Sequence, residues 1–293
     1  MIDKSKFDGI IPALLTPFKA DNTINYDVLA ELIEFNISKG VKGFYVCGST
    51  AEVFLLSEKE RKDLMKFCAE KVGGRVTLIA HVGCISTGVA AELAKYAETL
   101  GYDAVSAVAP FYYKFSFNEI KQYYFDIAAA SSLPMFVYNF PAFSGVNLSL
   151  ENFDELLSNE KVAGVKFTCG DMFLLEQLRA AHPEAVIFNG YDEIFSSGYA
   201  AGVDGGIGST YNLMADKFIR LHAYLKEGKT AEAKKEQRVI NKVIAALIKV
   251  GVMQGEKAVL NLMGFDFGVS RPPFAPLTDA QIEYLKQEVM PLL

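Results

Sequence analysis

The sequence predicts an α/β fold, specifically a (β/α)8 TIM barrel with a C-terminal helical extension. Three observations carry this expectation. Short apolar runs recur eight times, at a spacing of roughly 20 to 30 residues, with segments of i, i+3, i+4 apolar periodicity between them. The runs are nearly continuous in apolar residues, as in parallel strands covered on both faces. No GxGxxG follows the first run, which weakens the dinucleotide version of the main rival, an open doubly wound sheet.

Taken in order, Gly9–Leu15 is the first expected strand and Tyr26–Ser38 the first helix. Gly43–Cys47 precedes Ser57–Val72, where Ser57 lies three residues before Glu60 in a capping-box arrangement. Thr77–Val82 leads to Thr87–Leu100. Ala104–Ala109 leads to Asn118–Ala130, whose start is marked by Asn118 before Glu119 and Ile120. Met135–Tyr138, Val162–Thr168, Ala185–Asn189 and Gly205–Ile207 complete the strands. Lys229–Val250, Glu256–Met263 and Asp279–Val289 then read as three further helices, with an Arg271-Pro272-Pro273 turn between the last two. The expected division is residues 1–225 for the barrel and 226–293 for helices packed on it.

With 293 residues, 51% hydrophobic and 22% charged, the chain has ample core for one large barrel. A net charge of −6 without a Lys/Arg run argues against nucleic acid and anionic membrane surfaces as partners. The stretch from Met1 to Ile10 lacks the apolar core of a signal peptide, and no apolar run has the length of a membrane span. Cys47, Cys68, Cys84 and Cys169 form no CxxC pair, and His81, His182 and His222 show no HExxH spacing. No metal is therefore expected, and a cytoplasmic setting with reduced thiols is. His81 and Cys84 lack a third group to complete a triad, so a strand-end histidine and a packed thiol are expected there.

One run contains a charge. Val162-Ala163-Gly164-Val165-Lys166-Phe167-Thr168 reads as a buried strand apart from Lys166, and burial favours the neutral amine. A neutral lysine attacks ketones, forming a Schiff base that serves as an electron sink for cleaving the adjacent C–C bond. The alternative is a strand-end lysine that snorkels to water. Barrel active sites gather where strands end, so the residues at those ends decide between the two. The second strand ends in Gly48-Ser49-Thr50-Ala51-Glu52, whose hydroxyls and amides can hold a carboxylate or simply build a turn. The fifth ends in Tyr138-Asn139-Phe140-Pro141, placing a phenol at the mouth that can relay a proton or pack as a buried aromatic. The seventh ends in Asn189-Gly190-Tyr191-Asp192-Glu193, acceptors for substrate hydroxyls or acidic residues at a helix start. The eighth ends in a glycine-rich turn before Ser209 and Asn212, suited to a phosphate or a hydroxyl. Polar groups around one amine favour the Schiff-base reading.

These blocks, with Gly164-Val165-Lys166 and the NGYDE and GGIGSTYN runs between Asn189 and Asn212, resemble the dihydrodipicolinate synthase/N-acetylneuraminate lyase family over nearly the whole chain. The pattern from Tyr138 to Gly145, with those two runs, is similar to its lyase branch. The resemblance implies a class I aldolase, usually a homotetramer, that cleaves N-acetylneuraminate reversibly to N-acetylmannosamine and pyruvate without metal or organic cofactor. It implies Lys166 as the Schiff-base residue and Tyr138 in proton transfer with the C4 hydroxyl. It also implies Ser49 and Thr50 on the substrate carboxylate, and Thr168, Gly190, Asp192, Glu193 and Ser209 on the sugar chain. Tyr112 matches a tyrosine that related enzymes insert into a neighbour's site. Two departures stand out: Ala51 and Cys47 occupy positions where glycine is common in the family. An alanine at a position needing positive φ would strain the carboxylate turn.

Rival functions are also defined by residues. The synthase branch typically carries an arginine five residues after the active-site tyrosine; here that position is Phe143, which cannot bind a carboxylate. Other pyruvate-dependent sugar-acid aldolases differ by a few polar contacts. A non-catalytic sugar-acid-binding barrel would need neither Lys166 nor Tyr138.

Overall fold

The computed structural model describes residues 3–293; Met1 and Ile2, at the head of the segment tested for a signal peptide, lie outside the described residues. Eight strands form one parallel sheet: β1 (Ile10–Pro12), β2 (Gly43–Val46), β3 (Thr77–His81), β4 (Ala104–Val108), β5 (Met135–Asn139), β6 (Val162–Phe167), β7 (Val186–Asn189) and β8 (Gly205–Gly208). β1 pairs with β8 through Ile10–Gly206 and its neighbours. The last gap, between β1 and β2, is closed by an Ala13–Tyr45 bridge, in which the Leu14 N–H donates to the Tyr45 carbonyl at 3.0 Å. The sheet is therefore a barrel, as expected. β1 is shorter than the Gly9–Leu15 run: beyond Pro12 single bonds remain, from the Ala13 N–H to Gly208 and from the Leu14 N–H to Tyr45.

Helices alternate with the strands: α1 (Tyr26–Lys39), α2 (Glu58–Val72), α3 (Thr87–Thr99), α4 (Phe117–Ala130), α5 (Pro141–Ser144), α6 (Leu150–Leu157), α7 (Met172–Ala181), α8 (Phe195–Ala200) and α9 (Tyr211–Lys226). The Ser57–Glu60 capping box is present at α2. At α4 the expected start is corrected. Ser116 is the N-cap and exchanges hydrogen bonds with Glu119, whereas Asn118 lies inside the first turn, because a serine three residues before a glutamate satisfies two free amides at once. After α9 come α10 (Thr230–Val250), α11 (Val252–Leu262) and α12 (Asp279–Glu288). α10 packs on α9, α11 and α12.

Two cores result. The larger lies between sheet and helices, filled by residues such as Leu29, Phe44, Met65, Leu93, Ile127 and Phe153. The smaller fills the barrel, where Ile11, Tyr45, Ile79, Phe136, Tyr138, Phe188 and Ile207 meet. Phe7 plugs its N-terminal end, edge-on to Phe136 at 5.1 Å and Phe188 at 6.2 Å. Phe136 and Tyr138, two apart on β5, point to the same inward face. The interior is thus apolar and aromatic at the bottom, with Tyr138 and Lys166 nearer the strand C-termini. Among the described residues no helix is long and apolar enough to cross a membrane.

Candidate active site

Register places the central pair. Tyr138 on β5 stands opposite Lys166 on β6, which stands opposite Phe188 on β7. Parallel neighbours in register present their side chains on the same face, so Lys166 and Tyr138 share the barrel interior. Lys166 is 4% exposed. Its Nζ lies 4.0 Å from the centre of the Tyr138 ring and 4.4 Å from that of Tyr45. Among the described residues Nζ has no ion-pair or hydrogen-bond partner; its surroundings are ring faces, with the charge of Asp192 felt from further off. Burial pushes the amine down to about 7, against a smaller upward pull from Asp192. Lys166 does not snorkel. A substantial fraction is a free nucleophile at neutral pH.

The phenols obey the same physics with the opposite sign. Burial holds Tyr138 well above its ordinary value, while the nearby Ser49 and Thr168 hydroxyls pull it down by less. Tyr138 is therefore a neutral phenol at rest, able to pass a proton rather than store a negative charge. Tyr45 donates to the Ser106 hydroxyl at 3.0 Å, which fixes the second wall of the lysine's chamber. His81 is fully buried beneath it. Its Nδ1 faces the Cys47 carbonyl at 2.9 Å and its Nε2 accepts from the Val108 N–H at 3.2 Å. Burial, reinforced by Arg61, holds it well below its usual value, so it is a neutral structural imidazole, as the absence of a triad suggests.

The turn after β2 carries Ser49 and Thr50, both half-buried, in a single 3-10 turn that ends at Ala51. The expected strain is at a different residue. Ala51 takes an ordinary turn conformation, and its carbonyl accepts from the Thr16 hydroxyl at 3.0 Å. Cys47, at φ 60°, and Glu52, at φ 57°, are the left-handed residues of this segment. Glu52 in turn is paired with Lys257 of α11, with both side chains buried. Its other oxygen accepts from the Arg271 N–H at 2.8 Å.

Asp192, Thr168, Gly190 and Ser209 assemble on the opposite rim. Asp192 is buried, and its Oδ2 accepts from Thr210 through the N–H at 3.0 Å and the hydroxyl at 2.6 Å. Gly208 makes this approach possible, since a Cβ there would fall 1.8 Å from Asp192 Oδ1. Gly190 does the same for Thr168, whose Oγ1 would meet a Cβ at 1.8 Å. Asp192 Oδ1 and Thr168 Oγ1 are buried and make no well-formed hydrogen bond, the Thr168 hydroxyl lying toward Tyr138 and the Asp192 carboxylate toward Tyr211. Burial raises the Asp192 carboxyl to about 6, with Thr210 opposing the rise. Glu193 is half-buried beside it. Tyr112 stands apart, 84% exposed at φ 81°, its ring edge-on to Tyr113 at 5.1 Å.

Several supporting residues escape a reading of motifs. Gln237 Nε2 donates to the Asp192 carbonyl at 3.2 Å and Asn241 Nδ2 to the Glu193 carbonyl at 3.0 Å, so α10 clamps the turn that carries both acids. Asn212 Nδ2 donates to the carbonyls of Ala13 and Ser209, each at 2.7 Å, tying the ends of β1 and β8 together. Nothing in local sequence marks Gln237 or Asn241, which look like ordinary helix-surface amides. Among the described residues no group of three or more His, Cys, Asp or Glu is placed to hold a metal ion.

The chain is similar to known proteins over nearly its whole length. The N-acetylneuraminate lyase of Enterobacter sp. (strain 638) is 47% identical over 280 residues, covering 95% of this chain and 94% of that protein. The crystal structure of N-acetylneuraminate lyase from Fusobacterium nucleatum complexed with pyruvate superposes with a TM-score of 0.94 at 41% identity, covering 98% of each chain. A Ruminococcus gnavus sialic acid aldolase, solved as a catalytic lysine mutant, gives a TM-score of 0.96 at 33% identity, covering 100% of this chain and 97% of that one. The Dihydrodipicolinate synthetase family model matches residues 6–291, and the chain belongs to that family.

Proposed function

We propose that this chain is a class I aldolase that cleaves N-acetylneuraminate reversibly to N-acetylmannosamine and pyruvate. The observation that carries the reading is the partnerless amine of Lys166 lying against the Tyr138 ring inside the barrel. The neutral amine attacks the C2 ketone of the open-chain sugar acid, and loss of water gives an iminium. Tyr138 takes the C4 hydroxyl proton as it passes its own phenolic proton to the substrate carboxylate, and the C3–C4 bond breaks in the same step. The bonding pair flows into the iminium, leaving an enamine and the aldehyde of N-acetylmannosamine. Protonation at C3 and hydrolysis then release pyruvate and regenerate Lys166. Ser49 and Thr50 hold the carboxylate. Thr168, Gly190, Asp192, Glu193 and Ser209 hold the hydroxylated chain, consistent with the buried polar oxygens on that rim.

Two features favour this over the alternatives. Phe143, five residues after Tyr138, is 73% exposed and packs on Phe140 at 4.3 Å, offering no cation for the second carboxylate of a synthase substrate. A mere sugar-acid binder would gain nothing from an unpaired buried lysine, which costs stability.

We assign Tyr112 to an interface in a homotetramer, on the strength of its exposed ring and those of Tyr113 and Phe173. We divide the chain into the barrel, 1–225, and a helical extension, 226–293, which serves the site through Gln237 and Asn241. The four cysteines are free, which suits a reducing compartment, and we assign the protein to the cytoplasm. The decisive experiment is borohydride trapping with pyruvate, followed by peptide mapping and an assay of pyruvate release from N-acetylneuraminate. Label on the peptide containing Lys166 with turnover is the expected result; label elsewhere, or none, overturns the assignment.

A further inference from the structure

The two rims of the site are turns that lie beyond the strand ladders, since β2 ends at Val46 and β7 at Asn189. Contacts other than sheet pairing must hold them. The turn after β2 is gripped by α11, whose buried residues include Glu256 and Lys257 and whose Lys257 is paired with Glu52. The turn after β7 is gripped by α10, through amides. Gln237 and Asn241 stand one turn apart on a single face of that helix. Gln237 Oε1 accepts from the Ser196 N–H and hydroxyl, each at 3.0 Å. Its Nε2 donates to the Asp192 carbonyl at 3.2 Å and to Asn241 Oδ1 at 2.9 Å. Because Oδ1 is engaged there, Asn241 turns its Nδ2 to the Glu193 carbonyl, at 3.0 Å. Donor and acceptor ends are both used, so the relay admits one orientation of each amide.

The two acids differ in what else holds them. The Asp192 carboxylate has the Thr210 N–H and hydroxyl. Among the described residues the Glu193 carboxylate makes no hydrogen bond or ion pair, so its direction follows from the main chain that Asn241 holds. We propose that Asn241, braced by Gln237, is a positioning residue for the sugar half of the reaction alone. It fixes the Asp192–Glu193 turn from outside the barrel, so that Glu193 meets the sugar chain, and has no part in keto-acid capture.

Keto-acid capture has its own anchors. Tyr138 and Lys166 are placed by the β5–β6 register. Ser49 and Thr50 lie in a turn closed by Glu52, whose N–H donates to the Ser49 carbonyl at 3.0 Å and whose side chain is held by Lys257 and the Arg271 N–H. Among the described residues no hydrogen bond or ion pair joins those anchors to Gln237 or Asn241. α10 itself is docked by an apolar face that includes Ile240, Val243, Ile244 and Leu247. Losing one amide therefore leaves the helix in place and releases only the turn. A group carried on a docked helix is held closely, and a shift of about 1 Å in a binding group can cost up to about 100-fold.

The inference rests on the aldolase reading of the same site. Run as a condensation, that reaction has two substrates and two KM values, which separates the halves. In Asn241→Ala and Asn241→Asp, KM for N-acetylmannosamine is expected to rise about tenfold. KM for pyruvate should stay within about twofold, and the denaturant midpoint near the parent's. Asn241→Asp keeps the size of the side chain but turns an oxygen toward the Glu193 carbonyl, so a packing role would leave it parental. Gln237→Glu, which keeps the acceptor for Ser196 and loses both donors, should raise the same KM. Since Asn241 acts through Glu193, Asn241→Ala should add less than about twofold to the loss in Glu193→Gln. Equal rises in both KM values, a parental KM for N-acetylmannosamine in Asn241→Asp, or losses that multiply in the double variant would each overturn the proposal. Borohydride trapping of pyruvate tells the two failures apart. No label on Lys166 in the parent refutes the aldolase reading, whereas normal trapping with any of those three results refutes the positioning role alone.

Discussion

Lys166 and Lys257 are both buried, at 4% and 1% exposure, and both lie over aromatic rings. Lys257 Nζ is 4.2 Å from the centre of Phe18 and 5.9 Å from that of Phe267, much as Lys166 faces Tyr138 and Tyr45. What separates them is an anion. Lys257 is ion-paired with Glu52, which counters the downward push of burial and leaves its amine at about 8, against about 7 for Lys166. Lys166 has only the distant charge of Asp192. Burial pushes both amines down, and the counter-charge keeps Lys257 mostly a cation at neutral pH where Lys166 is half neutral. One amine is a cation that joins α11 to the turn after β2, and the other, the nucleophile we propose, is held at a cost in stability.

Replacing each in turn should give opposite results. Lys166→Met is expected to lower kcat by about 10⁴-fold or more while making the protein more stable at neutral pH. The sign follows from linkage. The folded-state value is about 7 against 10.5 for the free side chain, so between these pH values the unfolded chain binds more protons, and stability rises with pH. At pH 7 the protonation difference costs about 4 kcal/mol, of which removal should recover roughly 2 to 4 after lost packing. Denaturant midpoints at pH 7 and 9.5 check this: the gain should shrink at the higher pH. An unchanged slope of stability with pH would mean that Lys166 is solvated.

The same titration appears in the chemistry. Below pH 7 Lys166 takes up a proton, so the rate of pyruvate adduct formation should fall toward tenfold per pH unit, while above pH 8 it should be flat. Lys257→Met, by contrast, leaves Glu52 buried and unpaired. It should destabilise the fold by about 3 to 5 kcal/mol, read as a loss of denaturant midpoint. The double variant Glu52→Gln with Lys257→Met should recover part of that loss, since it removes both charges.

The two lysines also differ in how far their roles were legible before the fold was known. Lys166 interrupts an apolar strand, a local conflict that any window over Val162–Thr168 exposes. The barrel was legible for a related reason: each strand is a short continuous apolar run, and each helix has its own periodicity. The partnership of Lys257 with Glu52 spans the chain from end to end, and neither residue breaks the pattern around it. Glu256 was equally hidden, because a glutamate in a helix normally faces water and only the packing of α11 against its neighbouring helices buries it. The strain at Cys47 was misplaced for a similar reason. Both Ala51 and Cys47 stood where glycine is usual, and only the path of the turn shows which of them must adopt positive φ.

That turn joins the two lysine environments, since Ser49 lies beside Tyr138 and Glu52 grips Lys257. Cys47→Gly tests which end holds it. Glycine relieves about 1 to 2 kcal/mol of left-handed strain and gives up a buried side chain of similar worth, whose Sγ rests 3.7 Å from the Arg61 carbonyl. The expected change in stability is therefore small, within about 1 kcal/mol. If the Glu52–Lys257 pair anchors the turn, the pyruvate KM should stay within about twofold, because Ser49 and Thr50 are held from downstream. A large rise in pyruvate KM with unchanged stability would instead assign the placement of those hydroxyls to Cys47, and would reduce Lys257 to a stabilising residue with no bearing on the site.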